Sequence, residues 1–218
     1  NGWCYNVGTI GVAKSGKEPY SEFFAAQVAD AMGIYHISYV LSKWKVMLCS
    51  ICVLFTSKDI SFVPASTLIE TSKISQIVAW YDAHGWKDDL ADMLVLDAVI
   101  RNTDRHLGNF GFLVDNHTNQ LLKPAPIFDN GLSLYCYVMD DDLNNLSEQE
   151  KTLAPALYAN FDEVACHVMG PKQKQELRHL LTFKFKKHSR YKLGDERVKI
   201  VDHAVQEKAR FLLEAAQQ

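Results

Sequence analysis

The chain has 218 residues, 48% apolar and 22% charged, with a formal net charge of −3. Such a composition suits one large domain or two small lobes around a proper core, and it excludes an intrinsically disordered chain. The mild acidity argues against general nucleic-acid binding, which calls for a basic face.

No basic start precedes an apolar core in Asn1–Tyr5, so no secretory leader is expected there. Gly8, Gly11 and Gly16 punctuate an early loop. The string from Gly11 through Gly16 to Lys17 approaches a Walker A loop, but Glu18 stands where a magnesium-holding hydroxyl belongs and Pro19 follows, so a P-loop fold is not expected. Glycines there still suit a loop lying over phosphates, because they let backbone N–H groups approach closely. Pro19 and Ser21 then open a helix in which Phe24, Val28 and Met32 recur every four residues, and Gly33 closes it. Two apolar runs, Tyr35–Leu41 and Val46–Phe55, flank Ser42-Lys43-Trp44-Lys45 and predict a hairpin. The second run is too short to span a bilayer. It carries Cys49 and Cys52, a lone C-x-x-C; with Cys4, Cys136 and Cys166 the count is odd and gives no disulfide framework, so buried structural thiols in a reducing cytoplasm are expected.

From Ser66 onward the pattern is mainly helical. The segment Lys87–Ile100 is apolar nearly all round, as in a buried helix, and Asp97 is expected to pair with Arg101 at the i, i+4 spacing, with a role bracing the following loop as the alternative. A strand at Gly111–Val114, a polar turn at Asp115–Asn119 and a second strand ending near Phe128 come next. Helices return near Pro171–Thr182 and Asp195–Ala216. The basic, aromatic stretch Phe183–Lys192 between them reads as a solvated connector, with an acidic partner or nucleic acid as the alternative.

The chemistry concentrates in Asn102–Gly131. Phosphoryl transfer needs metal ions on the phosphates and a group that orients or deprotonates the attacking hydroxyl. Protein kinases supply an Asp, an Asn five residues later, and a further Asp in a D-x-G turn beyond a hairpin. Asp104 and Asn109 have that spacing, and Asp129 opens Asp129-Asn130-Gly131 after a strand–turn–strand segment. Singly, each is an ordinary turn residue. Their joint occurrence behind a buried helix is what points to a phosphotransfer site.

The strings NTDRHLGNFGFL and APIFDNGLSL resemble the C-terminal domain of HipA-like serine/threonine kinases, most strongly over Leu94–Leu134 and more loosely over Glu18–Phe55 and the last helices. That resemblance implies Asp104 as catalytic base and Asn109 and Asp129 as magnesium ligands. It further implies ATP as donor, a protein Ser or Thr hydroxyl as acceptor, an antitoxin-type protein partner, and the bacterial cytoplasm as location. The expected fold is α+β and two-lobed, protein-kinase-like. Residues 1–58 would form a small N-terminal lobe that covers the nucleotide, and residues 59–218 a mainly helical lobe carrying the loops. The family's small lobe is longer, and a phosphate-covering strand pair is not evident this early in the chain. Lys14 is the first choice for the lysine on the ATP phosphates and Lys17 the second. Gly11 and Gly16 would line the phosphates, and Glu22 would be the helix partner of the lysine. Two alternatives remain: a kinase fold that binds nucleotide or a partner without turnover, and a phosphoinositide-type lipid kinase, for which the sequence offers no membrane signal.

Overall fold

The computed structural model describes residues 17–216 in full and the backbone of residues 2–6 and 9–13. Strands β1 (Gly2–Asn6) and β2 (Thr9–Ala13) pair antiparallel, where a glycine-punctuated loop was expected. Helix α1 (Glu18–Met32) follows, with Pro19 in its first turn and Gly33 as a left-handed C-cap at φ 77°. Its buried Phe24, Val28 and Met32 join the core, as the four-residue recurrence predicts. Strands β3 (Tyr39–Trp44) and β4 (Met47–Val53) form the expected hairpin, and β2 adds on the far side of β4, giving a four-stranded antiparallel sheet in the order β1-β2-β4-β3. Trp44 pairs with Met47, so the turn is only Lys45-Val46, with Lys45 at φ 55°. Tyr35 and His36, expected inside the first strand, instead run beside Ile127: the Ile127 amide donates to the Tyr35 carbonyl and the Ile37 amide to the Ile127 carbonyl.

A second antiparallel sheet, β5-β6-β7, is built from Ile60–Pro64, Gly111–Asp115 and Leu121–Pro124. No local pattern predicts β5, and β7 ends at Pro124, short of Phe128. A Cβ on Gly111 would stand 2.2 Å from the Val63 carbonyl oxygen, so only glycine lets these two strands approach. Phe112 on β6 is fully buried beneath Trp80, Tyr81 and Trp86.

Helices α2 (Ala65–Leu68) and α3 (Ile74–Ala83) lead to α4 (Lys87–Ile100), whose residues from Leu90 onward are all buried. Each fully buried Leu or Ile there contributes about 1.5–3 kcal/mol relative to exposure. Beyond the loops come α5 (Leu146–Glu150), α6 (Phe161–Val168, N-capped by Asn160), α7 (Pro171–Arg178) and α8 (Asp195–Ala215). The helix expected to run to Thr182 therefore stops at Arg178. The basic, aromatic stretch is a strap along α1 rather than a free connector. Phe185 packs on Phe24, Gln27 exchanges two hydrogen bonds with the Lys186 backbone, and the Tyr20 hydroxyl donates to the Lys192 carbonyl. No described helix is long and apolar enough to cross a membrane.

Candidate active site

Helix α4 ends because Arg101 turns left-handed, at φ 53°. The chain then doubles back as the Asn102–Asn109 loop. Asn102 is fully buried and anchors the turn: its side-chain amide donates to Asp97 Oδ1 at 3.0 Å, and its Oδ1 accepts from the Asp104 amide at 3.2 Å. Asn109 staples the loop from inside. Its Nδ2 donates to the Asp104 carbonyl at 2.6 Å and its Oδ1 accepts from the His106 amide at 3.0 Å. A carbonyl oxygen has a second lone pair, so this leaves one acceptor direction on Oδ1. Asp104 itself is half-buried at the start of the loop.

Arg105 holds the assembly together. It is fully buried, and all five of its N–H groups are used. Nε and Nη2 grip Asp97 at 2.9 and 3.0 Å, Nη1 donates to the Asn109 and Phe128 carbonyls at 3.2 and 2.8 Å, and Nη2 reaches Asn130 Oδ1 at 2.6 Å. Burial opposes its charge, but the Asp97 carboxylate outweighs that and holds the guanidinium protonated. Asp97 therefore pairs with Arg105, not with Arg101 as expected. Arg101 left the helix and forks onto Asp162 at 2.8 and 3.0 Å. Asp97 takes the alternative role of bracing the loop, whereas Arg105 and Asn130 are residues of the network that spacing alone does not reveal. The signal for Asp97 is present in the sequence: a carboxylate on a helix apolar all round needs a buried cation.

Asp129 has a left-handed backbone, φ 58°, and its amide donates to the Tyr39 hydroxyl at 3.3 Å. Burial and the nearby Glu22 carboxylate push the Tyr39 phenol well above its ordinary range, so it stays protonated. Glu22 is buried on α1, and its Oε2 accepts from the Asn130 amide at 3.0 Å. Phe128 meets Phe55 and Phe62, with ring centres 5.2 to 5.9 Å apart, forming an aromatic wall beside Asp129. Asp104, Asn109, Asp129 and Glu22 thus belong to one connected network. Lys17 does not: its Nζ donates to the Val138 carbonyl and to Asp140 Oδ1, acceptors it shares with Arg197. Gly11 lies within β2, opposite Ile51. Lys14 and Gly16 fall outside the described residues. In the C-x-x-C pair, Cys49 is buried, and burial with the Glu22 charge pushes the Cys52 thiol up to about 11, away from reactive thiolate chemistry.

The whole chain superposes on the crystal structure of the Helicobacter pylori proinflammatory kinase CtkA with a TM-score of 0.71, covering 98% of this chain and 92% of that one at 18% identity. It also matches HipA from the Shewanella oneidensis MR-1 toxin–antitoxin system, solved with HipB and operator DNA, with a TM-score of 0.54, 11% identity and coverage of 97% and 61%. The fold is that of the HipA-like kinases. In sequence, 132 residues align at 27% identity with the serine/threonine-protein kinase CtkA of Helicobacter pylori strain J99, spanning 53% of this chain and 40% of that protein. No protein-family model matches. The HipA-like fold and this partial sequence match make the chain kinase-like.

Proposed function

We propose that this chain is an ATP-dependent phosphotransferase that moves the γ-phosphoryl group to a hydroxyl, most naturally that of a protein Ser or Thr. The observation that carries the reading is the cross-link by Arg105 between the loop bearing Asp104 and Asn109 and the turn bearing Asp129. A kinase needs its base and its metal carboxylate held in fixed relation, and a buried guanidinium that bridges the two loops does that.

In this reading Asp104 accepts the proton of the acceptor hydroxyl and orients its oxygen toward the γ-phosphorus. Asp129 and the remaining lone pair of Asn109 Oδ1 are hard oxygen donors. They fit magnesium, which keeps most of its shell as water and phosphate and takes one or two protein ligands. When bound, the metal would neutralise the phosphate charge. The aromatic wall of Phe55, Phe62 and Phe128 suits the flat face of the nucleotide base. Lys14 is the preferred lysine for the ATP phosphates. Lys17 is second to it because its ammonium already serves Asp140 and the Val138 carbonyl. A cytoplasmic location and an antitoxin-type protein partner belong to the same proposal; the solved HipA relative is itself described with HipB.

Calorimetric titration of ATP with and without magnesium, beside a phosphotransfer assay on the parent and on Asp104→Ala and Asp129→Ala, tests the reading. Asp104→Ala should bind magnesium–ATP normally and lose transfer, whereas Asp129→Ala should lose magnesium-dependent binding as well. A parent that binds no nucleotide would remove the proposal. A parent that binds ATP but transfers nothing would favour the reading without turnover, which the internal use of both Asn109 amide atoms also favours.

A further inference from the structure

The strap Phe183–Lys192 and the tip of the β3–β4 hairpin are far apart in the chain and adjacent in the fold. Lys43 Nζ stands 5.9 Å over the Tyr191 ring, and the Arg190 guanidinium stands 5.4 Å from the centre of the same ring. His188 stacks on that ring as well, with centres 5.1 Å apart. Lys187 answers Asp195, but among the described residues no carboxylate pairs with Lys43, Lys45, Lys186, Arg190 or Lys192, and all of these are exposed. Like charges repel, so gathering unpaired cations at one end of a chain of net charge −3 is not a by-product of composition.

The hairpin tip supplies the other half of this surface. Lys43–Met47 are exposed without a break. Trp44 and Met47 oppose each other on the last rung, so their side chains share one face, and Val46 in the turn is 89% exposed. Nothing in the turn itself calls for a large apolar residue, since tight hairpin turns favour Gly, Asn and Asp. Large apolar side chains on a convex tip, flanked by lysines, suit a lipid–water boundary. The indole sits at headgroup level, and each lysine lays its stem along apolar surface with the ammonium on lipid phosphate. A single-stranded nucleic acid would instead want an aromatic face free for its bases, and His188, Lys43 and Arg190 already engage the Tyr191 ring.

We propose that the hairpin tip and the strap together form a peripheral docking surface for an anionic lipid bilayer. Trp44, Val46 and Met47 enter the interface, and the cations of hairpin and strap meet the headgroup phosphates. The chain rests on the leaflet and does not cross it, in keeping with described helices of which none is long and apolar enough to span. The surface uses no residue of the candidate active site, so it stands or falls apart from the kinase reading.

Co-sedimentation of the whole chain with vesicles, beside thermal melts, tests this. The parent should bind vesicles of phosphatidylcholine with about one-third phosphatidylserine at least about tenfold more tightly than pure phosphatidylcholine, and salt should weaken that binding. Val46→Asp places a charge at the tip and should weaken binding to the anionic vesicles about tenfold. Arg190→Glu combined with Lys192→Glu reverses part of the strap and should also weaken it at least about tenfold. Both variants should melt with the parent, because the side chains they change are exposed. Tryptophan emission of the parent should shift to the blue on anionic vesicles, and Trp44→Phe should abolish the shift. No binding to anionic vesicles, or equal binding to both kinds, would overturn the inference. Val46→Asp binding as tightly as the parent would overturn it too, leaving a bare cationic patch; polyglutamate and an oligothymidylate would then show whether an acidic protein or a nucleic acid is its partner.

Discussion

The charge networks around Arg105 and around Asp140 are built on opposite principles. Around Arg105 both partners of the ion pair are fully buried, every donor is used, and the acceptors come from helix α4, the Asn102–Asn109 loop and the turn at Asp129. Around Asp140 one carboxylate, 71% exposed, is shared by two cations, Lys17 at 27% exposure and Arg197 at 3%. A dry pair is costly to assemble and costlier to break, because the surviving charge has nowhere to go. A wet pair is screened and contributes little. The first can fix the geometry of a site. The second can hold the segment after Asp129-Asn130-Gly131 against α1 and α8 while leaving it able to move.

The contrast breaks most visibly at Arg105. Arg105→Ala strands the Asp97 carboxylate in the core, along with the Asn109 and Phe128 carbonyls. It should destabilise the protein by about 3–5 kcal/mol, the usual scale for removing one partner of a buried pair. Chemical denaturation of parent and variant checks this, and a loss below 1 kcal/mol would mean that the buried network is not what holds the loops. Next in size is a change that should leave stability alone. Asp104 is half-buried and braced through its backbone, so Asp104→Ala should keep the melting temperature within a few degrees while phosphotransfer falls about 10²–10⁴-fold, the scale of a positioned base. A rate that fell only in step with stability would assign Asp104 a purely local role.

How much of this was legible in the sequence follows from the same contrast. The helix α1 with its Gly33 cap, the hairpin of β3 and β4, and the helix α4 were all visible, because each is set by local periodicity and end signals. The spacing of Asp104, Asn109 and Asp129 was visible too, since chain distance carries it. The partner of Asp97 was not. The i, i+4 rule holds only while the helix continues, and Arg101 leaves it by going left-handed, which hands Asp97 to Arg105 instead. Strand β5 is not legible locally, because its pairing partner, β6, lies some fifty residues along the chain and nothing near Gly111 in the sequence marks it as a close-approach site. The strap over α1 reads as solvated from its charges, which are exposed, while Phe185 beneath them is buried.

A smaller effect sharpens the reading of Asp129. Both Asp129→Gly and Asp129→Ala delete the carboxylate, so their difference reports backbone conformation alone. Glycine accepts φ 58° freely and alanine does not, so the glycine variant should be the more stable, by about 1 kcal/mol. Equal stabilities would mean that the turn relaxes once the carboxylate is gone, and that its strain is held by the side chain rather than by Arg105 and Glu22.

The smallest effect belongs to the wet network. Lys17→Met should cost less than about 1 kcal/mol, as exposed pairs do, and salt should reduce even that. Arg197, which reaches the same Asp140 oxygen and the same Val138 carbonyl, remains to hold the segment. The pH dependence has a definite sign. Hydrogen bonds from Lys17 and Arg197 hold the Asp140 carboxyl below its ordinary range. A carboxyl depressed in the folded state contributes stability that is fully present above its unfolded pKa, about 3.9, and is lost as pH falls through the folded value. The stability gap between parent and Lys17→Met should therefore be widest near neutrality and close as the solution is acidified below about pH 4. The Arg105–Asp97 pair supplies the control. It is sealed from solvent, so the deficit of Arg105→Ala should persist at raised salt while that of Lys17→Met vanishes. Equal salt sensitivity of the two variants in denaturation curves would erase the distinction between a network that fixes the site and one that merely rests on it.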